Sequence, residues 1–388
     1  MENSTVIVEK NQTVKKASIP LTVLIITVIA HFINDTYSML TPSLLPILKT
    51  KYGIDYFQLG ILASTPLIIS AALQSFSGHF AEKYAIKKIV LITGFFILGF
   101  GYTIFSQSPT YILMLISAIL IGIGLSTYHP QGISILTKNY SSEQRGKILG
   151  IHGVGGSLGF LMGPFIGGVI LYNWGLEGFA WIWIPAVIIA LLIYKFLHVD
   201  EKPVKTSYSS IFSFQLLAVA FLASINTFFS RGVSTFMPSY FVAQGDSLFK
   251  ANMFTALMLL PGLISQPLGG YLSDKLGRKI VIFSGYISAS VLLYIFVLYP
   301  NAILLMLVGF FIFLTIPVRY AFVIDIAGEK AAASIGLMLT FSLTLASTAP
   351  TIIGYLIDKI GFTEAFKVVA IGGIISGILI LFLKEKRK

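Results

Sequence analysis

Twelve runs of mostly apolar residues, each long enough to cross a bilayer as a helix, constrain this chain more than any other feature. A helix rising 1.5 Å per residue needs about 20 such residues to span a hydrocarbon core roughly 30 Å thick. The runs are 20–48, 56–83, 88–106, 110–137, 146–172, 178–197, 211–243, 249–275, 279–298, 301–324, 331–359 and 363–383. In 388 residues they leave only short connections and no room for a sizeable soluble domain. The composition agrees: charged residues make up 11%, against about 25% in soluble domains. A soluble enzyme, a disordered regulator and a nucleic-acid binder are excluded on these grounds. The fold class expected is an all-α membrane protein of twelve transmembrane helices. With no cysteine in the chain, there is no disulfide framework and no thiolate chemistry to consider.

The net charge of +11 follows from where Lys and Arg fall. With residues 1–19 taken as a cytoplasmic tail, the inward connections hold Lys83, Lys87, Lys88, Lys138, Arg145, Lys147, Lys195, Lys202, Lys205, Lys275, Arg278, Lys279 and Lys330. The outward ones hold Lys49, Lys51, Lys250, Lys359 and Lys367. An excess of basic residues marks the cytoplasmic side, so the chain is expected in a plasma membrane with both termini in the cytoplasm. The longest polar connection, 198–210, divides the chain into six-helix halves, 20–197 and 211–383, with a second cytoplasmic tail at 384–388. The halves repeat each other. Gln74-Ser-Phe-Ser-Gly78 corresponds to Gln266-Pro-Leu-Gly-Gly270, and Thr41-Pro42-Ser43 corresponds to Met237-Pro238-Ser239. Duplicated six-helix halves are a transporter plan, with the ligand between the repeats.

Ionisable groups inside the apolar runs are few, and placing one at a helix centre costs roughly 2.5–3.5 kcal/mol. They therefore face the bundle interior and are candidates for function. His31, Asn34 and Asp35 share one helix face at i, i+3 and i+4. Arg231 stands 196 residues after Asp35, the same offset that relates Pro42 to Pro238. This register puts Asp35 and Arg231 on opposite walls of one central cavity. They could form a structural ion pair there. Alternatively, Asp35 exchanges a proton while Arg231 keeps it ionised or binds an anion. His31 and His129 are candidate modulators, since histidine titrates near neutral pH. His152 and Arg319 are weaker candidates for lining a gate. Gln74 and Gln266 offer either neutral hydrogen bonds to cargo or helix-to-helix contacts.

Two longer motifs stand out. Gly270-Tyr-Leu-Ser-Asp274-Lys-Leu-Gly277-Arg278-Lys279 ends the eighth run, with Gly270 expected at a close helix contact and Gly277 in a tight turn. Its first-half copy, Gly78-His-Phe-Ala-Glu82-Lys-Tyr-Ala85-Ile86-Lys87, has Glu for Asp and lacks the turn glycine, which leaves a strained turn there in doubt. The fifth run carries Gly150, Gly159, Gly163, Pro164, Gly167 and Gly168. Small residues four apart let membrane helices pack backbone to backbone. Gly155-Gly-Ser157-Leu-Gly159 fits a nucleophile pattern, but that pattern needs a strand–turn–helix elbow, which an apolar helix cannot supply. No G-x-x-x-x-G-K-[ST] phosphate loop is present.

The Gly270 loop resembles the loop signature of the major facilitator superfamily. The spacing G-x8-G-x3-G-P-x2-G-G from Gly150 to Gly168 resembles that family's antiporter signature at all six fixed positions. Within the family, His31-Phe-Ile-Asn34-Asp35 and Tyr128-His129-Pro130 resemble the first and fourth spans of exporters of the fosmidomycin-resistance type. The resemblance implies two pseudo-symmetric halves rocking about a mid-membrane cavity lined by spans 1, 4, 7 and 10. It also implies proton-driven antiport of a small molecule, with no cofactor beyond the proton gradient, no metal and no enzymatic activity. The partners expected are cargo, protons and lipid, and a monomer carries a whole pathway. Two other readings stand beside export: uptake or uniport of a sugar or organic anion, and a membrane enzyme or receptor.

Overall fold

The computed structural model describes residues 21–140, 142–199, 214–327 and 340–385, and among them there are helices and no strand. The tail 1–19, most of the connection 198–210, Lys330, the stretch 331–339 and the final residues 386–388 lie outside the described residues. Eleven helices are long and apolar enough to cross a membrane. They are α1 Leu21–Tyr52, α2 Tyr56–Lys83, α3 Lys87–Gln107, α4 Tyr111–Asn139, α5 Lys147–Trp174, α6 Leu176–Phe196, α7 Leu217–Ala243, α8 Leu248–Leu276, α9 Arg278–Leu298, α10 Ala302–Ile326 and α11 Thr340–Ile380.

At 41 residues, α11 has twice the length that one crossing requires. Gly361, at φ 76° and ψ 169°, interrupts it. Glycine alone takes such a backbone without steric cost, so the helix divides into limbs 340–360 and 362–380. The crossings then number twelve, and the break falls where the sequence separates its last two runs.

Local chemistry fixes the helix ends. Gly53 (φ 66°) closes α1. Asp55 then opens α2 with a capping box, accepting from Gln58 N at 2.7 Å while Asp55 N donates to Gln58 Oε1 at 3.2 Å. Thr110, Ser247 and Asn301 cap α4, α8 and α10 in the same sense. Each such cap satisfies backbone donors that the first helical turn leaves open.

Of the two related turns, the one at Gly277 is as the sequence leads one to expect, and the one at Ala85 is informative. Gly277 adopts φ 95°, which only glycine tolerates freely. In the first half Ala85 takes the left-handed conformation regardless, at φ 55°, the one non-glycine with positive φ among the described residues. The strained turn is present. Glu82 supports it by accepting from Lys87 Nζ and Ser134 Oγ, both at 2.9 Å. Arg278 does the corresponding work in the second half, reaching Asp274 Oδ1 at 2.6 Å and Asp325 Oδ2 of α10 at 3.0 Å. The close contact expected of Gly270 belongs to its neighbour. A Cβ on Gly270 would meet nothing within 4 Å, whereas one on Gly269 would stand 1.9 Å from Leu314 O. One residue is about 100° around a helix, enough to turn Gly270 away from α10. Gly78, the first-half counterpart, does make a close approach, with Pro130 Cβ 2.9 Å from where its Cβ would be.

The two halves are sealed at the Asp55 end. Asp358, near the end of the first limb of α11, accepts from Tyr56 N at 3.1 Å and Phe57 N at 2.7 Å, capping α2 from the opposite half. Below it, Thr351 Oγ1 donates to Ser64 Oγ at 2.8 Å. Gly60 and Gly354 bring the backbones together: a Cβ on either would fall 2.3 Å from Pro350 O or 2.1 Å from Tyr56 O. Buried positions of α2 crowd this end and stop at Pro66, with Ala81 the single exception beyond it.

Two measurements check this architecture. A left-handed alanine costs about 1–2 kcal/mol, partly offset in glycine by roughly 0.5–1 kcal/mol of chain entropy. Ala85→Gly is expected to raise the thermal midpoint slightly and Gly277→Ala to lower it; unchanged midpoints in both would contradict the turn geometry. Losing a cap costs about 0.5–2 kcal/mol, so Asp358→Ala should open the seam roughly fivefold more often. Since the chain has no cysteine, Ser64→Cys reports this as faster maleimide labelling when combined with Asp358→Ala. An equal rate in both backgrounds would contradict a seam held by Asp358.

Candidate functional site

The site begins with the helical period. His31 and Asp35 lie one turn apart on α1, and His31 Nε2 faces Asp35 Oδ2 at 3.3 Å. On the other carboxylate oxygen, Asp35 Oδ1 accepts from Asn34 Nδ2 at 2.9 Å and stands 3.5 Å from His129 Nε2 of α4. Pro130 sits inside α4 directly after His129, where its ring prevents regular helical hydrogen bonding. The four side chains predicted on α1 and α4 are thus brought into one cluster.

The hydrogen-bond partners fix where protons reside. His31 Nδ1 lies 2.9 Å from the His152 carbonyl, which can only accept, so Nδ1 carries a hydrogen. Nε2 and Asp35 Oδ2 then face each other across a single shareable proton, whether the pair is imidazolium–carboxylate or imidazole–carboxylic acid. Tyr128 hydroxyl donates to the Thr27 carbonyl. Its oxygen therefore receives the His152 Nε2 hydrogen at 2.8 Å. His31 also stacks on His152, with ring centroids 4.2 Å apart. The side chain of Asp35 is 5% exposed and that of His31 12%, whereas His129 is 36% exposed. His129 is the most exposed member of the cluster, and it borders the same cavity as Asp35. The Asn34 Oδ1 atom is buried with no partner, an acceptor in reserve should the amide turn toward a protonated Asp35.

Three donor groups here, on His31, Asp35 and His129, lie within 4.8 Å of one another, the one such set among the described residues. The two imidazoles address different carboxylate oxygens. Asp35 is thus the shared partner of both imidazoles.

The glycine stripe of α5 makes this cluster possible. A Cβ on Gly156 would stand 2.5 Å from His31 Nε2 and 2.8 Å from Asp35 Oδ2; one on Gly159 would stand 2.9 Å from Asp35 Cβ. Gly163 and Gly167 continue the contact along α1 at Met39 and Ser43, while Gly168 turns to Asn252 of α8. Pro164 lies within the same helix. Gly150, first in the sequence motif, meets nothing within 4 Å. The motif's spacing thus omits Gly156, the position closest to the titratable pair, because no rule of four-residue periodicity selects it.

Two adjoining cavities open beside the cluster. The smaller, with about 550 Å³ of empty space, is bounded by Asn34, Asp35, Gln74, His129, Phe160 and Arg231. The larger, about 900 Å³, lies against α7 and α10 and is bounded by Arg231 and Arg319 among others. Asp35 and Arg231 thus border one cavity, as their register implies. They do not form an ion pair. Arg231 Nη1 contacts Met39 Sδ at 3.6 Å, and its guanidinium lies 5.0 Å from the centre of the Phe160 ring. Gln266 bridges the halves by donating to Ser157 Oγ at 3.0 Å, a structural contact and not a cavity one. Phe160 and the His152 carbonyl carry no signal in the sequence that marks them for these roles. Tyr128 does, through its place before His129-Pro130.

Overpacking costs about 1–3 kcal/mol. Gly156→Ala and Gly159→Ala are accordingly expected to lower the melting temperature of the purified protein, and Gly150→Ala to leave it unchanged. Equal effects at all three positions would contradict the packing of α5 on α1.

Comparison with known proteins gives the family. The family model for the Major Facilitator Superfamily matches residues 27–342 and 216–388. The uncharacterized MFS-type transporter YfnC of Bacillus subtilis (strain 168) is 26% identical over 411 residues, covering 98% of this chain and 97% of that protein. The fosmidomycin resistance protein of Escherichia coli (strain K12) is 23% identical over 375 residues, covering 92% of each. A bacterial homolog of the human lysosomal transporter Spinster, in an inward-facing and occupied conformation, superposes with a TM-score of 0.75 at 16% identity, over 95% of this chain and 96% of that one. With twelve crossings around a central cavity and a matching family model across its length, the chain is a multi-pass membrane transporter belonging to the major facilitator superfamily.

Proposed function

We propose that this protein exports a small molecule across the plasma membrane in exchange for protons, by alternating access. The observation that carries this reading is the buried His31 Nε2–Asp35 Oδ2 pair, with Asp35 and His129 on the wall of the central cavity. In this scheme Asp35 is the proton carrier, His31 and His129 tune and relay the proton, and Arg231 faces the cargo. The relative named for fosmidomycin resistance and the antiporter-type stripe on α5 support the direction of transport. The excess of basic residues in the inward connections supports both termini in the cytoplasm. The sealed Asp55 end is then the external gate, and the state described is closed to the outside. The halves 20–197 and 211–383 rock as units in a monomer.

The energetics suffice. One proton crossing 100 mV releases about 2.3 kcal/mol, which supports a cargo gradient of tens-fold. Coupling requires that Asp35 be unable to reach both sides in one state, and the Asp358 and Ser64 contacts of α11 with α2 supply the outer barrier. Arg231 favours a second reading, uptake of an organic anion together with a proton, in which Asp35 and Arg231 load and unload on the same side of the membrane.

The test uses purified protein in liposomes that enclose a pH-sensitive dye, with fosmidomycin as the probe. Export by antiport predicts proton movement opposite to the probe, abolished in Asp35→Asn with its melting curve intact. Movement in the same direction would establish the uptake reading. A proton signal that persists in Asp35→Asn would remove Asp35 as carrier.

A further inference from the structure

We infer that the larger cavity is a binding site for a dianion, with one anionic group held at Arg231 and the other at Arg319. This rests on the transporter reading and names the class of its cargo.

Both cations face this cavity, and no carboxylate borders it among the described residues. Neither guanidinium is in an ion pair among the described residues. The Arg231 side chain rests on a thioether and an aromatic face, at Met39 and Phe160, with Asp35 across the adjoining smaller cavity. Arg319 is 9% exposed. Its hydrogen bonds to protein run through Nη1, to the Ala223 carbonyl and Thr227 Oγ1, each at 2.9 Å. Its Nε is buried and makes no hydrogen bond to a carboxylate, with the buried Tyr286 hydroxyl as its polar neighbour. Ion pairs of Arg278, Lys87, Lys250 and Lys367 show that this chain pairs cations where it needs them only for structure. Two unpaired guanidinium groups in a bilayer interior are costly, and a ligand that brings two negative charges removes that cost.

Spacing narrows the class. Arg319 is docked on Ala223 and Thr227, which precede Arg231 on α7 by two turns and one turn. The two charges are therefore roughly 6–12 Å apart along the helix. Between them the wall is apolar and aromatic, with Leu259, Ile312, Phe313 and Ile316, while Asn226 and Ser234 add neutral hydrogen-bonding groups. A short molecule with an acidic group at each end and a hydrocarbon middle fits this arrangement. Guanidinium forks are suited to carboxylate, phosphonate and sulfonate alike.

The test measures binding by calorimetry to the detergent-purified full chain at fixed pH, without a gradient, so it is independent of proton coupling. The probes are the straight-chain diacids from succinate to suberate, each against the monoacid of equal length. Each charge-assisted contact is worth enough to give a preference of about tenfold or more. Wild type is expected to prefer at least one diacid by that margin. Arg231→Gln and Arg319→Gln should each reduce the preference to about threefold or less, and Arg319→Lys should retain part of it. No preference for any diacid in wild type would overturn the inference without reference to any variant. So would an undiminished preference in Arg319→Gln. Diacid binding that survives while proton exchange fails would instead leave this site standing and remove the coupling scheme.

Discussion

Everything at the centre of this molecule follows from the cost of holding a carboxyl group inside a bilayer. Asp35 is almost wholly buried on α1, where an isolated carboxylate would be expensive. Two imidazoles and an amide surround it, and none of them is a permanent cation. A lysine or arginine in the same place would lock the carboxylate in its ionised form. Histidine leaves the proton free to reside on either partner. The nearest permanent cation that borders the same cavity, Arg231, turns instead to Phe160 and Met39. The cluster therefore holds the carboxyl without a permanent cation in contact with it.

The glycine stripe and the seam depend on that cluster for their meaning. Close packing of α5 on α1 brings the His152 carbonyl against His31 Nδ1, which fixes the tautomer and directs Nε2 at Asp35. Larger side chains at Gly156 or Gly159 would separate the helices and release that constraint. At the Asp55 end the halves are joined by a carboxylate on a helix N-terminus, by a hydroxyl pair and by two glycine contacts. These are individually modest interactions, of about 0.5–1.5 kcal/mol for a typical hydrogen bond. In the proposed cycle this seam opens, and bonds of this size allow that, since a larger energy would trap one state.

Much of this was legible in the sequence because membrane helices are written in long runs and buried charges are conspicuous among apolar residues. The twelve runs, the duplication and the shared cavity of Asp35 and Arg231 followed from length and register. Rotational detail was less legible. Gly150 and Gly270 belong to recognisable motifs yet face open space, while Gly156 and Gly269 make the close contacts, because a one-residue step turns the helix by about 100°. The ion pair between Asp35 and Arg231 was an open alternative that the side-chain directions exclude. The left-handed Ala85 shows a turn imposed by the packing around Glu82, Lys87 and Ser134 against the preference of its own residue.

The central claim is that Asp35 itself gains and loses a proton within the operating range of the protein. Infrared difference spectroscopy of the purified chain through an acid–alkaline cycle tests it without any cargo. A protonated-carboxyl stretching band is predicted to appear on acidification in wild type and to be absent in Asp35→Asn, with an accompanying change in the imidazole bands. Identical difference spectra for the two proteins would contradict the account.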